Sequence, residues 1–109
     1  MANFFRNKVV TEVGTTPIEL LTTGSSSRAT VIGLSLANLT ASNILASITV
    51  EDDLGTVGHY IKDVIVPPNQ SLRVVNGGEK LILAPDNILS ISCSQLAALD
   101  VVMSYVEIA

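Results

Sequence analysis

Turn-forming residues recur about every ten positions along this chain, and short β-rich runs fill the gaps between them, the spacing of a sandwich or barrel. The turn signals fall at Gly14 and at 23–27, 40–43, 52–55, 67–70, 76–78, 85–87 and 94–98. The runs between them predict strands at 8–13, 17–21, 30–37, 44–51, 57–66, 71–75, 80–83, 88–93 and 99–108. No window sustains the helical apolar period over about three turns. The stretch at 94–99 competes for a helix and is too short to be one.

The clearest strand is 30–37, where Ile32, Leu34 and Leu36 alternate with Val31, Gly33, Ser35 and Ala37. Its pattern predicts a core of large side chains on one face and a close neighbour on the other. Ile44, Ala46, Ile48 and Val50 alternate in the same way with Leu45, Ser47, Thr49 and Glu51. The last run, 99–108, is apolar on both faces, with Leu99, Val101, Met103 and Tyr105 on one side and Val102, Val106 and Ile108 on the other. Such a strand lies at the centre of a two-sided environment or at a subunit interface.

Composition narrows the partners. Hydrophobic residues make up 48% of the 109, yet aromatics only 4%. The apolar mass is therefore aliphatic and β-forming. Charged residues reach 15%, against about 25% in ordinary domains, which leaves part of the surface to be covered by a partner. A net charge of −4 with six scattered basic residues excludes nucleic acid as the main ligand. No run approaches the ~20 apolar residues of a spanning helix. The start MANFFRNK carries no signal-peptide pattern, so the chain is expected to be made and kept in the cytosol until something larger carries it out. Without a secretory signal, the glycosylation acceptor pattern Asn38-Leu39-Thr40 is only formal.

The chemical motifs all have structural readings. In VNGGEKLIL, at 75–83, Lys80 is followed by Leu81 rather than Ser or Thr, and a strand rather than a helix comes next. A phosphate loop needs the opposite. Asn76-Gly77 instead predicts a two-residue hairpin turn. Glu51, Asp52 and Asp53 lack the alternating ligand spacing of a calcium loop and predict a solvated hairpin tip. His59, the sole histidine, reads as an exposed or interface residue. The hydroxyl run at 22–27 has no nucleophile elbow and reads as a flexible or interface-bound loop. Cys93, alone in the chain, shares a face with Leu89 and Ile91 and reads as a small buried hydrophobe. No catalytic set, cofactor site, metal site or small-molecule substrate is expected.

The N-terminal segment 2–8 places Phe4 and Phe5 ahead of Arg6 and Lys8 on an otherwise acidic chain. Two roles are open to it. An apolar anchor flanked by positive charge can reach into a neighbour, or the rings can cap the chain's own core. The candidate interface residues are thus Phe4, Phe5, Arg6, Val102, Val106 and Ile108.

Four stretches, KVVTEVGTTPIELLT, VIGLSLANLT, YIKDVIVPPNQSLRVVNGGEKLIL and LDVVMSYVEI, give the chain a pattern that resembles small virion structural proteins of tailed bacteriophages. The likeness spans nearly the whole chain and contains no catalytic motif. It implies a β-sandwich in the head, neck or tail of a virion, present in several symmetric copies. The expected fold is all-β, an antiparallel β-sandwich of jelly-roll-like type with about seven to nine strands. Residues 1–109 form one domain in this reading, with 1–8 available as an N-terminal arm. The expected function is a non-enzymatic virion component, a head decoration, neck or tail accessory protein, that binds itself as a homo-oligomer and other virion proteins. The alternative is a carbohydrate- or receptor-binding module of a tail or fibre, for which Tyr60 is the one candidate aromatic platform.

Overall fold

The computed structural model describes residues 3–75 and 79–109, which form nine β-strands and no helix. In chain order these are β1 (Asn3–Val13), β2 (Ile18–Thr22), β3 (Arg28–Asn38), β4 (Ile44–Glu51) and β5 (Val57–Val66). They are followed by β6 (Ser71–Val75), β7 (Leu81–Leu83), β8 (Ile88–Cys93) and β9 (Leu99–Ile108). One sheet has the order β1-β9-β3-β6, with β7 also pairing β3, and the other has the order β2-β8-β4-β5. All described pairings are antiparallel. Only the steps from β4 to β5 and from β6 to β7 stay within a sheet, and every other connection crosses between them. With β6 and β7 taken as one interrupted strand, this is the double Greek-key winding of a jelly roll.

The alternation in the sequence builds the core directly. Val101, Met103 and Tyr105 of β9 point inward beside Leu34 and Leu36 of β3. They meet Ile44, Ala46 and Ile48 of β4 and Leu89, Ile91 and Cys93 of β8 from the facing sheet. Each large aliphatic side chain so buried contributes about 1.5–3 kcal/mol. The Cys93 thiol is buried and donates to the carbonyls of Val13 (3.3 Å) and Gln95 (3.1 Å).

Two expectations are corrected. The pairing of 71–75 with 80–83 as a hairpin fails, because β6 and β7 both run antiparallel to β3, against Leu34–Ala37 and Ala29–Val31 in turn. They therefore run in one direction, and the chain is not reversed between them. The proposed turn residues, 76–78, lie outside the described residues. The second correction concerns β3, where Ile32 was expected beside Leu34 and Leu36. A bulge intervenes, since Val31 pairs with Tyr105 and Gly33 with Ser104, the next residue along β9. One extra residue flips the face of everything before it, so Val31 is buried and Ile32 turns outward.

Buried polar groups lock the loops. Asn38, at the end of β3, donates from Nδ2 to the carbonyls of Ser42, Val66 and Pro67 at 2.8, 2.9 and 3.1 Å. Its Oδ1 accepts from the N–H and the hydroxyl of Thr40, both at 2.8 Å. One amide thus ties the β3–β4 connection to the end of β5. The Tyr60 hydroxyl, also on β5, donates to Glu79 Oε2 at 2.5 Å, linking the four-stranded sheet to the residues that lead into β7.

Two predictions follow from these ties. Asn38→Ala strands buried carbonyls and should cost about 2–4 kcal/mol, read as a fall in the thermal midpoint, whereas an unchanged midpoint would show the hub to be dispensable. For Tyr60, burial first, then the hydrogen bond to Glu79 and its charge, raise the phenol from 10.0 to about 12. A raised pKa means the folded state favours the neutral phenol, so this stabilisation is whole below pH 10 and is lost as pH rises through about 12. Carbon NMR of the Tyr60 ring should follow that titration and show Glu79→Gln moving it back toward the ordinary value.

Candidate interaction surface

The outward side of the five-stranded sheet is assembled by register. In β1 and β9, Phe5 pairs with Val106, Asn7 with Ser104 and Val9 with Val102. Directly opposed residues in an antiparallel ladder share a face. Since Met103 and Tyr105 fill the core, these six side chains point the other way. From β3 the face receives Thr30, the bulged Ile32, Gly33 and Ser35, and from β7 and β6 it receives Ile82 and Arg73. Phe5 is 81% exposed, Val102 47% and Ile82 69%. Charged side chains stay at the rim, where Arg28 and Asp100 occupy strand ends and Arg73 lies on β6.

The predicted interface residues divide across the sheet. Phe5, Val102, Val106 and Ile108 share this outward face, Phe5 and Val106 as direct partners. Phe4 and Arg6 take the other side of β1, where they pair with Glu107 and Tyr105. The edge strand overhangs the core there, and Phe4 is still 43% exposed. Arg6 stands 5.0 Å above the Phe4 ring and bonds Glu107 Oε1 at 2.7 Å. Its charge is thus engaged within its own chain. Residues 3–8 run as the first half of β1, hydrogen-bonded to β9, rather than projecting from the sheet.

Val9, Ile32, Gly33, Ser104 and Ile82 belong to this face and were not singled out by sequence. Val9 was within reach of the alternation, at even spacing from Phe5. Ile32 was hidden by the bulge, which no local period reveals.

The chemically suggestive residues take structural places. Thr23 is buried, donating to the Ala84 carbonyl at 2.6 Å and accepting from the Asn87 N–H at 2.8 Å. The expected flexible loop at 22–27 is therefore pinned to the β7–β8 turn at this point. Asp52 Oδ1 accepts the N–H groups of Leu54 and Thr56, both at 2.9 Å, and closes the β4–β5 hairpin, with Gly55 at φ +82°. His59 is exposed on β5, opposite Thr49. Among the described residues no three His, Cys, Asp or Glu side chains gather as a metal site, and no helix is long and apolar enough to cross a membrane. The Tyr60 ring, the candidate sugar platform, packs partly against the core.

No known protein family matches this sequence, and no curated protein does. Solved structures do resemble it. A chain from the acidic-stable capsid of Helicobacter pylori bacteriophage KHP30 superposes with a TM-score of 0.55 at 10% identity, covering 100% of this chain and 94% of that one. A chain of the T13 IBDV viral particle aligns over 96% of this chain with a TM-score of 0.49 at 10% identity, and this chain spans 35% of its length. A chain from the disulfide-linked pili of Bacillus endospore appendages aligns over 96% of this chain and 85% of its own, with a TM-score of 0.47 at 10% identity. The KHP30 likeness is one of fold, a β-sandwich shared over the whole of this chain.

Proposed function

We propose that this chain is a non-enzymatic structural component of a tailed-phage virion, a head decoration, neck or tail accessory protein that forms a symmetric oligomer and docks on other virion proteins. The observation that carries this reading is the outward face of the five-stranded sheet. A face on which Phe5, Val9, Ile32, Ile82 and Val102 stand exposed among small and uncharged polar side chains is what a protein interface requires at its centre. The fold likeness to a phage capsid chain supports the same setting. In this reading residues 1–109 act as one assembly unit, and the N-terminal residues supply the aromatic rim of its docking face.

Recognition here is protein against protein. The partners are further copies of the chain and neighbouring virion proteins, with closed symmetry hiding the apolar face. Purified particles from the phage that encodes the chain should contain it in a fixed ratio to the major capsid protein, measured by mass spectrometry and seen as density by electron microscopy. Absence from the particle overturns the proposal.

A further inference from the structure

Over β3, between β9 and β6, the outward face is hollowed rather than flat. Ile32, Gly33, Ser35, Arg73, Val102 and Ser104 line a depression of about 360 Å³. A second hollow shares Ile32 and Ser104 with it and runs to the foot of Phe5. The depression exists because Gly33 and Ser104, a directly paired couple, are small where their neighbours are large. The bulge that turns Ile32 outward raises the wall between the two hollows. Phe5 is the opposite feature, a ring standing proud of the edge strand at 81% exposure.

We propose that Phe5 anchors a reciprocal contact between two copies of this chain, the ring of each entering the hollow above Gly33 of the other. This rests on the assembly reading above and names the partner and the contact. Three observations commit the hollow to a second copy. The knob is on β1 and the hole is on β3, and β9 lies between them. Phe5 is level with Val106 and Gly33 with Ser104, so a twofold axis crossing β9 obliquely between those levels exchanges knob and hole, the self-complementarity that an isologous dimer needs.

Charge agrees with this choice. The chain carries −4 overall, so copies repel through most approaches, whereas the paired residues of β1 and β9 on this face, Phe5, Asn7, Val9, Val102, Ser104 and Val106, carry no charge. Size agrees as well. Four strand widths by the length of β9 make a face of roughly 30 by 20 Å, about 600 Å² before side-chain relief is counted, against the ~800 Å² per partner of a standard interface. A buried aromatic in a central pocket, ringed by weaker contacts, is the usual energetic core of such an interface.

The test uses the full recombinant chain in sedimentation equilibrium and native mass spectrometry. Wild type should dimerise. Phe5→Ala removes the knob from an exposed position, and Gly33→Leu fills the hole. A Cβ at Gly33 meets nothing closer than the Ser104 Cβ at 3.8 Å, an ordinary contact, so the leucine stands in the hollow and the fold is kept. Each variant should weaken dimerisation by about tenfold or more, with the thermal midpoint of the dilute monomer unchanged.

Mixing the two variants supplies the decisive arm. In the mixed pair one ring still meets one open hollow, so the heterodimer should form more readily than either variant alone. Val9→Glu, which puts a charge on the exposed face outside both knob and hollow, separates the two levels of the proposal. If it breaks the dimer while Phe5→Ala and Gly33→Leu do not, the knob-in-hollow contact is wrong and the face reading stands. If wild type dimerises and Val9→Glu leaves that dimer intact, the face reading falls too. A wild-type chain that stays monomeric at high concentration overturns the self-contact outright.

Discussion

Everything in this fold depends on β9 being held from both sides. It is the only described partner of β1 and the principal partner of β3, and its Val101, Met103 and Tyr105 are buried in the core. Loss of its inward contacts would unseat the edge strand as well as the centre of the sheet. The same backbone presents Val102 and Val106 outward, so stability and surface are written on alternate residues of one strand. The period of two keeps them apart. A substitution at an odd position of this strand speaks to folding, and one at an even position to whatever the face meets.

Bulges decide where the surface residues aim. In β1 the register shifts between Val10 and Val13, where Glu12 takes a left-handed φ of 55° and its N–H finds Asp100 Oδ1 at 3.0 Å. That carboxylate satisfies a donor which the bulge would otherwise leave unpaired. In β3 the extra residue sends Val31 into the core and Ile32 out of it. Neither bulge weakens the core, and the second makes the relief on the outward face.

The strands were legible because their cause is local. Apolar alternation and turn residues report on the chain within a few positions, and all the expected runs became strands, with β1 starting earlier than its alternation suggested. Misreadings arose where the cause lies elsewhere in the fold. Asn76-Gly77 has the composition of a hairpin turn, but β6 and β7 are each captured by β3, and strand choice is a tertiary competition that the dipeptide does not record. Thr23 looked like one more loop hydroxyl until Ala84 and Asn87, distant in sequence, supplied its partners. The outward face was half legible. Phe5, Val102, Val106 and Ile108 follow from parity alone, while Ile32 and the hollow over Gly33 depend on a register shift between strands.

The division of one edge into β6 and β7 has a consequence for growth. A sheet extends when a foreign strand finds a long row of unpaired amides, and edge segments of five and three residues offer only short rows. At the opposite edge β1 runs for eleven residues, with Arg6 and Lys8 among them. The sheet is thus polar in its capacity to propagate, with one extendable margin and one blunt one. Strand addition at the extendable margin would consume the site it used. Runaway growth through this sheet, which needs both of its margins open, is thereby blunted at β6 and β7.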